Sequence, residues 1–335
     1  MASDPQKHLS VLIVGTGSIG QRHARLLCER PELEVWICDI DRKCLDECRK
    51  VAPRARPIDN YETAMQQHPD AVFVCTPHAL HKPMAVRAAQ AGCHVMCEKP
   101  LAGTVTDAQQ IVDAVEQNGK VLQVGYVARL HPAIRRLQEL VQSGQLGTLV
   151  GGRVMVGTYF TLMASRRRFA QPQENVLVLD YTHEPDYLSL LFGQVQRVSA
   201  ESATLGKLPL MQSPNIFSII MRYESGALVQ LHLDYVQFPN RHLIELYGDA
   251  KTAVFDSESG ALTRFSHGSD VREVEYVTVG RDDVFRDQIT SFLEAVRGEH
   301  PPTCTGQDGI AVLRIAEAAI RAASEHRTVE LAGGG

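Results

Sequence analysis

Apolar and polar positions fall into two textures that change near residue 125. In the first stretch, short apolar runs alternate with segments of helical periodicity. Leu9 to Val14 reads as a buried strand that runs into a glycine turn. Ser18 to Glu29 reads as a helix with apolar Ile19, Leu26 and Leu27. Leu33 to Cys38 predicts a second strand ending at Asp39, and Ala71 to Cys75 a third. His94 to Cys97 and Val121 to Val124 predict two more. Helical spacing appears between them at Asp41 to Val51, Asn60 to Gln67, Lys82 to Ala91 and Thr106 to Asn118. Short apolar strands separated by helices predict a parallel sheet covered on both faces. Beyond 125 the strands lengthen and alternate, as a mainly antiparallel open sheet requires. They are Leu149 to Tyr159, Val195 to Glu201, Ile216 to Tyr223, Ala227 to Tyr235, Arg241 to Gly248, Lys251 to Asp256 and Arg272 to Val279. Helices at Pro132 to Ser143, Glu184 to Leu191, Phe285 to Val296 and Gly309 to Ser324 complete an α+β domain. The expected division is 1–125 for nucleotide binding, 126–330 for substrate binding and oligomer contacts, and 331–335 as a tail.

Composition narrows the function classes. The 335 residues are 44% hydrophobic and 22% charged, with a net charge of -5. That is ordinary globular composition. No basic stripe supports a nucleic-acid partner. No apolar stretch is long enough to span a membrane, and the polar opening residues do not read as a signal peptide. Eight cysteines are scattered along the chain without a zinc spacing, so free thiols, no metal and a cytoplasmic setting are expected.

Gly15-Thr16-Gly17-Ser18-Ile19-Gly20 has the spacing G-x-G-x-x-G between a predicted strand and a predicted helix. Gly15 permits a tight turn, Gly17 a close approach to pyrophosphate, and Gly20 tight helix–strand packing. The helix start at Ser18 and Ile19 adds backbone N–H donors. Asp39 stands where a carboxylate accepts from both ribose hydroxyls and repels a 2′-phosphate. That favours NAD, while Arg42 offers a counter-ion that keeps NADP open. Thr76, Pro77 and His78 follow the third strand at its carboxyl end, where ligands of open parallel sheets collect, with His81 nearby. His81 reads equally as a ligand contact, a loop residue or a cap.

Cys97-Glu98-Lys99-Pro100 ends another short strand near the predicted crevice. Oxidising an alcohol releases a proton as hydride leaves, and an ammonium such as Lys99 can stabilise alkoxide charge and relay that proton. A second constellation is Asp180-Tyr181-Thr182-His183-Glu184-Pro185-Asp186. His183 near a helix start suits a base at neutral pH. If the stretch is already helical, Asp180 lies on the same side and can orient the imidazole. Asp186 competes for that role but also suits the negative end-charge preferred in a first helical turn.

Together these features resemble the Gfo/Idh/MocA family, named for glucose–fructose oxidoreductase, inositol dehydrogenase and a rhizopine-catabolism protein. The likeness also rests on Ala91-Gly92-Cys93-His94-Val95, Val124-Gly125-Tyr126 with Arg129, His131 and Pro132, Gly144-Gln145-Leu146-Gly147, and Leu191-Phe192-Gly193. It covers nearly the whole chain. The resemblance implies a Rossmann domain followed by an α/β domain, with NAD or NADP acting on a ring hydroxyl or carbonyl of a sugar, inositol or related polyol. It implies catalysis by the lysine matched by Lys99 and acid/base work by the histidine matched by His183. It commonly places an aspartate four residues before that histidine, where Leu179 stands; Asp180, three before, fits the shorter spacing of one branch. Glu98 and Tyr126 are implied near the cofactor. Arg129, Tyr159 and Arg167 are implied near the substrate. The run Arg166-Arg167-Arg168 suits a carboxylate or phosphate, or else a solvated loop or subunit contact. A homodimer or homotetramer is expected. The rival readings are a lyase, hydrolase or epimerase with retained NAD, and a non-catalytic dinucleotide sensor.

Overall fold

The computed structural model describes residues 9–164 and 173–331. The chain forms two units. One runs to Val127 and takes up Gly280–Leu313; the other holds Ala128–Val279 and the chain from Arg314 onward.

The first unit begins β1 (Leu9–Val14), α1 (Ser18–Cys28), β2 (Leu33–Cys38), α2 (Arg42–Val51), β3 (Arg56–Ile58) and α3 (Tyr61–Met65). It continues β4 (Ala71–Val74), α4 (His81–Gln90), β5 (His94–Cys97), α5 (Val105–Gln117) and β6 (Leu122–Val124). All neighbours are parallel, in the order β3-β2-β1-β4-β5-β6. The order reverses between β1 and β4, which marks the ligand crevice of such sheets. Val11 to Val14 and Ala71 to Val74 are buried throughout, so these strands are apolar runs without alternation. Strand β3 was not expected: it is three residues long and holds Arg56 and Pro57, at an edge where proline is tolerated. Asp41, Asn60 and Thr104 cap α2, α3 and α5 by accepting from Lys43 N, Thr63 N and Asp107 N.

The second unit contains α6 (Pro132–Gln142), β7 (Leu149–Gly157), α7 (Tyr159–Ala164), α8 (Val176–Asp180) and α9 (His183–Phe192). Then come β8 (Val195–Ala203), β9 (Ile216–Tyr223), β10 (Leu228–Asp234), β11 (Arg241–Gly248), β12 (Lys251–Asp256), β13 (Ala261–Ser266) and β14 (Arg272–Tyr276). The chain closes with α10 (Arg281–Arg297), α11 (Gly306–Glu325) and β15 (Val329–Glu330). The nine strands run β14-β13-β12-β11-β7-β10-β9-β8-β15. Every pair is antiparallel except β7 with β10. Phe217, Ile219, Met221, Val229, Leu231 and Leu233 point to one face and are buried, while Ser218, Ile220, Leu228 and Gln230 point away and are exposed. Leu137 of α6, Leu188 of α9 and Ala319 of α11 join that buried face in one core.

Helix α10 belongs to the first unit, although a boundary near 125 would leave it with the second. Asp282 lies 3.4 Å from Arg22 and 2.6 Å from Arg25 on α1. Gln123 Nε2 donates to the Gln288 carbonyl, and Phe292 packs edge-on against Phe73 at 5.3 Å. All eight cysteines are free thiols. Burial pushes Cys38 and Cys48 up to about 12 and Cys93 up to about 11, so none of these three is a thiolate near neutral pH. Among the described residues no helix is long and apolar enough to cross a membrane, and no acid, histidine and cysteine cluster is disposed to hold a metal ion.

Candidate active-site residues

The glycine turn joins β1 to α1, and its three glycines have different reasons to be glycine. Gly15 has φ +90°, and a Cβ there would lie 2.7 Å from the Cys75 carbonyl and Thr76 N. A Cβ on Gly20 would lie 1.9 Å from the Gly15 carbonyl oxygen. Both are demanded by the protein's own packing. Gly17, the N-cap of α1, has an ordinary φ of -67° and open space where a Cβ would project. A Cβ there would meet no other group of the protein within 4 Å. No side chain caps α1. Thr16 N and Oγ1 both donate to Asp39 Oδ2, at 2.7 and 3.0 Å, and Asp41 N donates to Oδ1 at 2.9 Å. The carboxylate is thus fixed beside the turn while remaining partly exposed. An open helix start, a clear approach at Gly17 and an anchored carboxylate fit a dinucleotide: pyrophosphate at the turn, ribose at Asp39. Arg42 is 86% exposed, with its guanidinium 3.7 Å from Asp59.

These differences give a paired expectation. Gly17→Ala keeps melting within about 2 °C of the parent but weakens NADH binding about tenfold. Gly20→Ala lowers the melting temperature itself, because the Gly15 carbonyl must move. Melting curves and NADH fluorescence titrations check both; a Gly17→Ala protein with unchanged NADH affinity defeats the assignment of the cradle.

At the ends of β4 and β5 the structure corrects one expectation. His81 is only 1% exposed. Its Nε2 lies 2.9 Å from the Thr76 carbonyl, and its Nδ1 lies 2.9 Å from the Pro100 carbonyl and 3.3 Å from that of Leu101. The ring is occupied tying two loops together, so it does not present itself to a cofactor. Pro77 is exposed, Thr76 and His78 are partly exposed, and the His78 ring lies along Gly103. Lys99 is partly exposed and precedes a cis peptide bond to Pro100. Glu98 beside it is buried, with Oε1 2.8 Å from His23 Nε2, and Oε2 accepts from Lys99 N at 3.3 Å. Sequence reasoning missed His23. The signal was available: Gly20, His23, Ala24 and Leu27 share the buried stripe of α1. Tyr126, expected near the cofactor, is 1% exposed and so offers almost no surface.

Burial also pushes His81, His94 and His131 below their ordinary value. The unfolded chain takes up these protons near pH ~6.5, while the folded rings resist them. The unfolded state therefore binds more protons in that range, and stability falls as pH drops below about 6.5. The melting temperature is expected to decline between about pH 6.5 and 5.5; a flat or rising curve there contradicts it.

In the second unit, Asp180 ends α8 and His183 begins α9. Tyr181 between them has φ -102° and ψ 44°, so one continuous helix does not carry both residues. His183 instead sits in the first turn of its own helix, directly after the N-cap Thr182. Asp180 is buried and accepts from the Tyr235 hydroxyl at 2.7 Å. Tyr235 was not singled out from the sequence; it lies one residue past β10, and its burial is a tertiary fact. Arg129 also needs correction. Its side chain is 8% exposed, and it donates from Nε and Nη2 to Asp186, at 3.0 and 2.7 Å. The guanidinium braces the start of α9 rather than meeting a substrate, and Asp186 is explained by that pair. Tyr159 begins α7, with its hydroxyl 3.5 Å from the Pro209 carbonyl. Arg167, with Arg166 and Arg168, lies outside the described residues.

Comparison with known proteins agrees with this architecture. The chain matches the Gfo/Idh/MocA descriptions "Oxidoreductase family, NAD-binding Rossmann fold" over residues 9–126 and "C-terminal alpha/beta domain" over residues 138–331. It is 24% identical over 328 residues to the uncharacterized oxidoreductase YrbE of Bacillus subtilis, covering 93% of this chain and 94% of that protein. It is 24% identical over 334 residues to the myo-inositol 2-dehydrogenase of Thermotoga maritima, covering 95% and 97%. Its fold superposes with a TM-score of 0.87, at 19% identity, on an Agrobacterium radiobacter oxidoreductase solved with NAD+, L-tartaric acid and magnesium, covering 96% of this chain and 98% of that one. With both domain descriptions matched in order along almost the whole chain, this protein is a member of the Gfo/Idh/MocA oxidoreductase family.

Proposed function

We propose that this protein is an NAD-dependent dehydrogenase that moves hydride to or from a ring carbinol of a sugar, inositol or sugar derivative. The carrying observation is the lock between the glycine turn and Asp39, which Thr16 makes with two hydrogen bonds to one carboxylate oxygen. An anchored carboxylate there accepts from ribose hydroxyls and repels a 2′-phosphate, which supports NAD over NADP. The nicotinamide bound there supplies the hydride acceptor or donor. Lys99 steadies charge on the substrate oxygen, His183 takes or returns the proton, and Asp180 orients the exchange. The relative named for myo-inositol supports a polyol substrate. Exposed Val150, Ile220 and Leu228 on the outward face of the second sheet support a homodimer or homotetramer. Free buried thiols support a cytoplasmic setting.

The test is absorbance at the reduced-nicotinamide band with purified protein, NAD or NADP, and a panel of sugars, uronic acids, aminosugars and inositols. Substrate-dependent growth with NAD supports the reading. Silence across the panel, with NADH binding shown by fluorescence, favours instead a retained-cofactor lyase, hydrolase or epimerase.

A further inference from the structure

The carboxylate of Asp180 is buried, and a buried carboxylate is costly unless donors satisfy it. One donor is the phenol of Tyr235, at 2.7 Å from Oδ2. Tyr235 is 1% exposed and is held from several sides. Its N–H donates to the Asn215 carbonyl, and the buried Asn215 side chain in turn bonds the backbone of Leu205 in both directions. Asp234, just before it, accepts from Val236 N and Gln237 N through Oδ1, fixing the turn that leaves β10. The Tyr235 ring packs on that of Tyr181 at 5.9 Å, and the Tyr181 hydroxyl is 2.9 Å from Thr161 Oγ1. A rigid strand end thus aims one hydroxyl at one carboxylate oxygen. A phenol in that place donates to the carboxylate and fixes its plane.

We propose that Tyr235 is a positioning residue for the hydride-transfer reaction, acting through Asp180. The inference rests on the reading that Asp180 works with His183. A tyrosine that only filled space would need its ring and not its hydroxyl, so Tyr235→Phe isolates the difference.

Two measurements on the full chain test it. The first needs no substrate. In the infrared difference between the protein and Asp180→Asn, the carboxylate stretch of Asp180 shifts when Tyr235 is replaced by phenylalanine; an unmoved band overturns the proposal. The second uses NAD with myo-inositol, D-glucose or D-glucuronate, whichever reduces it. Tyr235→Phe is expected to lower kcat about tenfold, with NADH affinity unchanged. In the Asp180→Asn background the same substitution adds less than about twofold. Equal losses in both backgrounds, or wild-type kcat in Tyr235→Phe, overturn it. If Asp180→Asn is itself impaired while Tyr235→Phe is not, this inference alone fails. If Asp180→Asn turns over like the wild type, the placing of Asp180 in the reaction fails, and the inference with it.

Discussion

Replacing Lys99 with methionine is expected to lower kcat about a thousandfold, within the range for losing a positioned proton-transfer group. The side chain keeps its length and loses its charge and its proton. The backbone around it is held by others: Glu98 is buried against His23, and His81 grips the Pro100 and Leu101 carbonyls. The substituted protein is therefore expected to melt near the parent temperature and to keep NADH affinity within a few-fold. Lys99→Arg separates two roles. Arginine retains the positive charge but does not give up a proton near neutral pH. If Lys99 acts only by stabilising oxygen charge, Lys99→Arg recovers much of the rate; if it relays the proton, arginine fails almost as completely as methionine. A Lys99→Met protein within tenfold of the parent removes Lys99 from the reaction.

The residues that carry this expectation were legible because their signals are local. The glycine spacing, the strand before it and the helix after it all lie within twenty residues, Leu9 to Cys28, and Lys99 follows a strand recognisable from its own composition. Asp39 was legible as the residue that follows β2. What stayed hidden depends on which distant group fills a partner's place. Arg129 and Asp186 stand 57 positions apart, and an arginine near a crevice looks like a ligand contact until the structure shows Nε and Nη2 paired with that carboxylate. His81 follows the same rule: its place near the crevice allowed a ligand contact, a loop residue or a cap equally, but both ring nitrogens face carbonyls. The apolar spacing of α10 announced a helix without saying which sheet it covers. The break at Tyr181 was illegible because α8 is only five residues long, too short for periodicity to register. Strand β13 escaped because its buried face contributes Leu262 alone among fully buried side chains.

The Arg129–Asp186 pair yields the largest expected effect on stability. Asp186 is 0% exposed in its side chain and takes two nitrogens of Arg129 in a fork. Arg129→Met leaves that carboxylate buried with its principal counter-ion gone, which is expected to cost about 3–5 kcal/mol. For a domain of this size that lowers the melting temperature by roughly 10 °C. The first turn of α9 also carries His183, so activity is expected to fall at temperatures where the variant is still folded. Removing both charges is a different matter. Arg129→Met with Asp186→Leu takes away the uncompensated charge together with its partner, and apolar replacements of buried pairs are often neutral. The double variant is therefore expected to recover at least half of the lost stability, a non-additivity that melting curves of the four proteins read directly. If the double variant melts at the sum of the two single losses, the two residues act independently. If Arg129→Met melts within about 2 °C of the parent, the pair contributes little, and the start of α9 is held by its apolar packing instead.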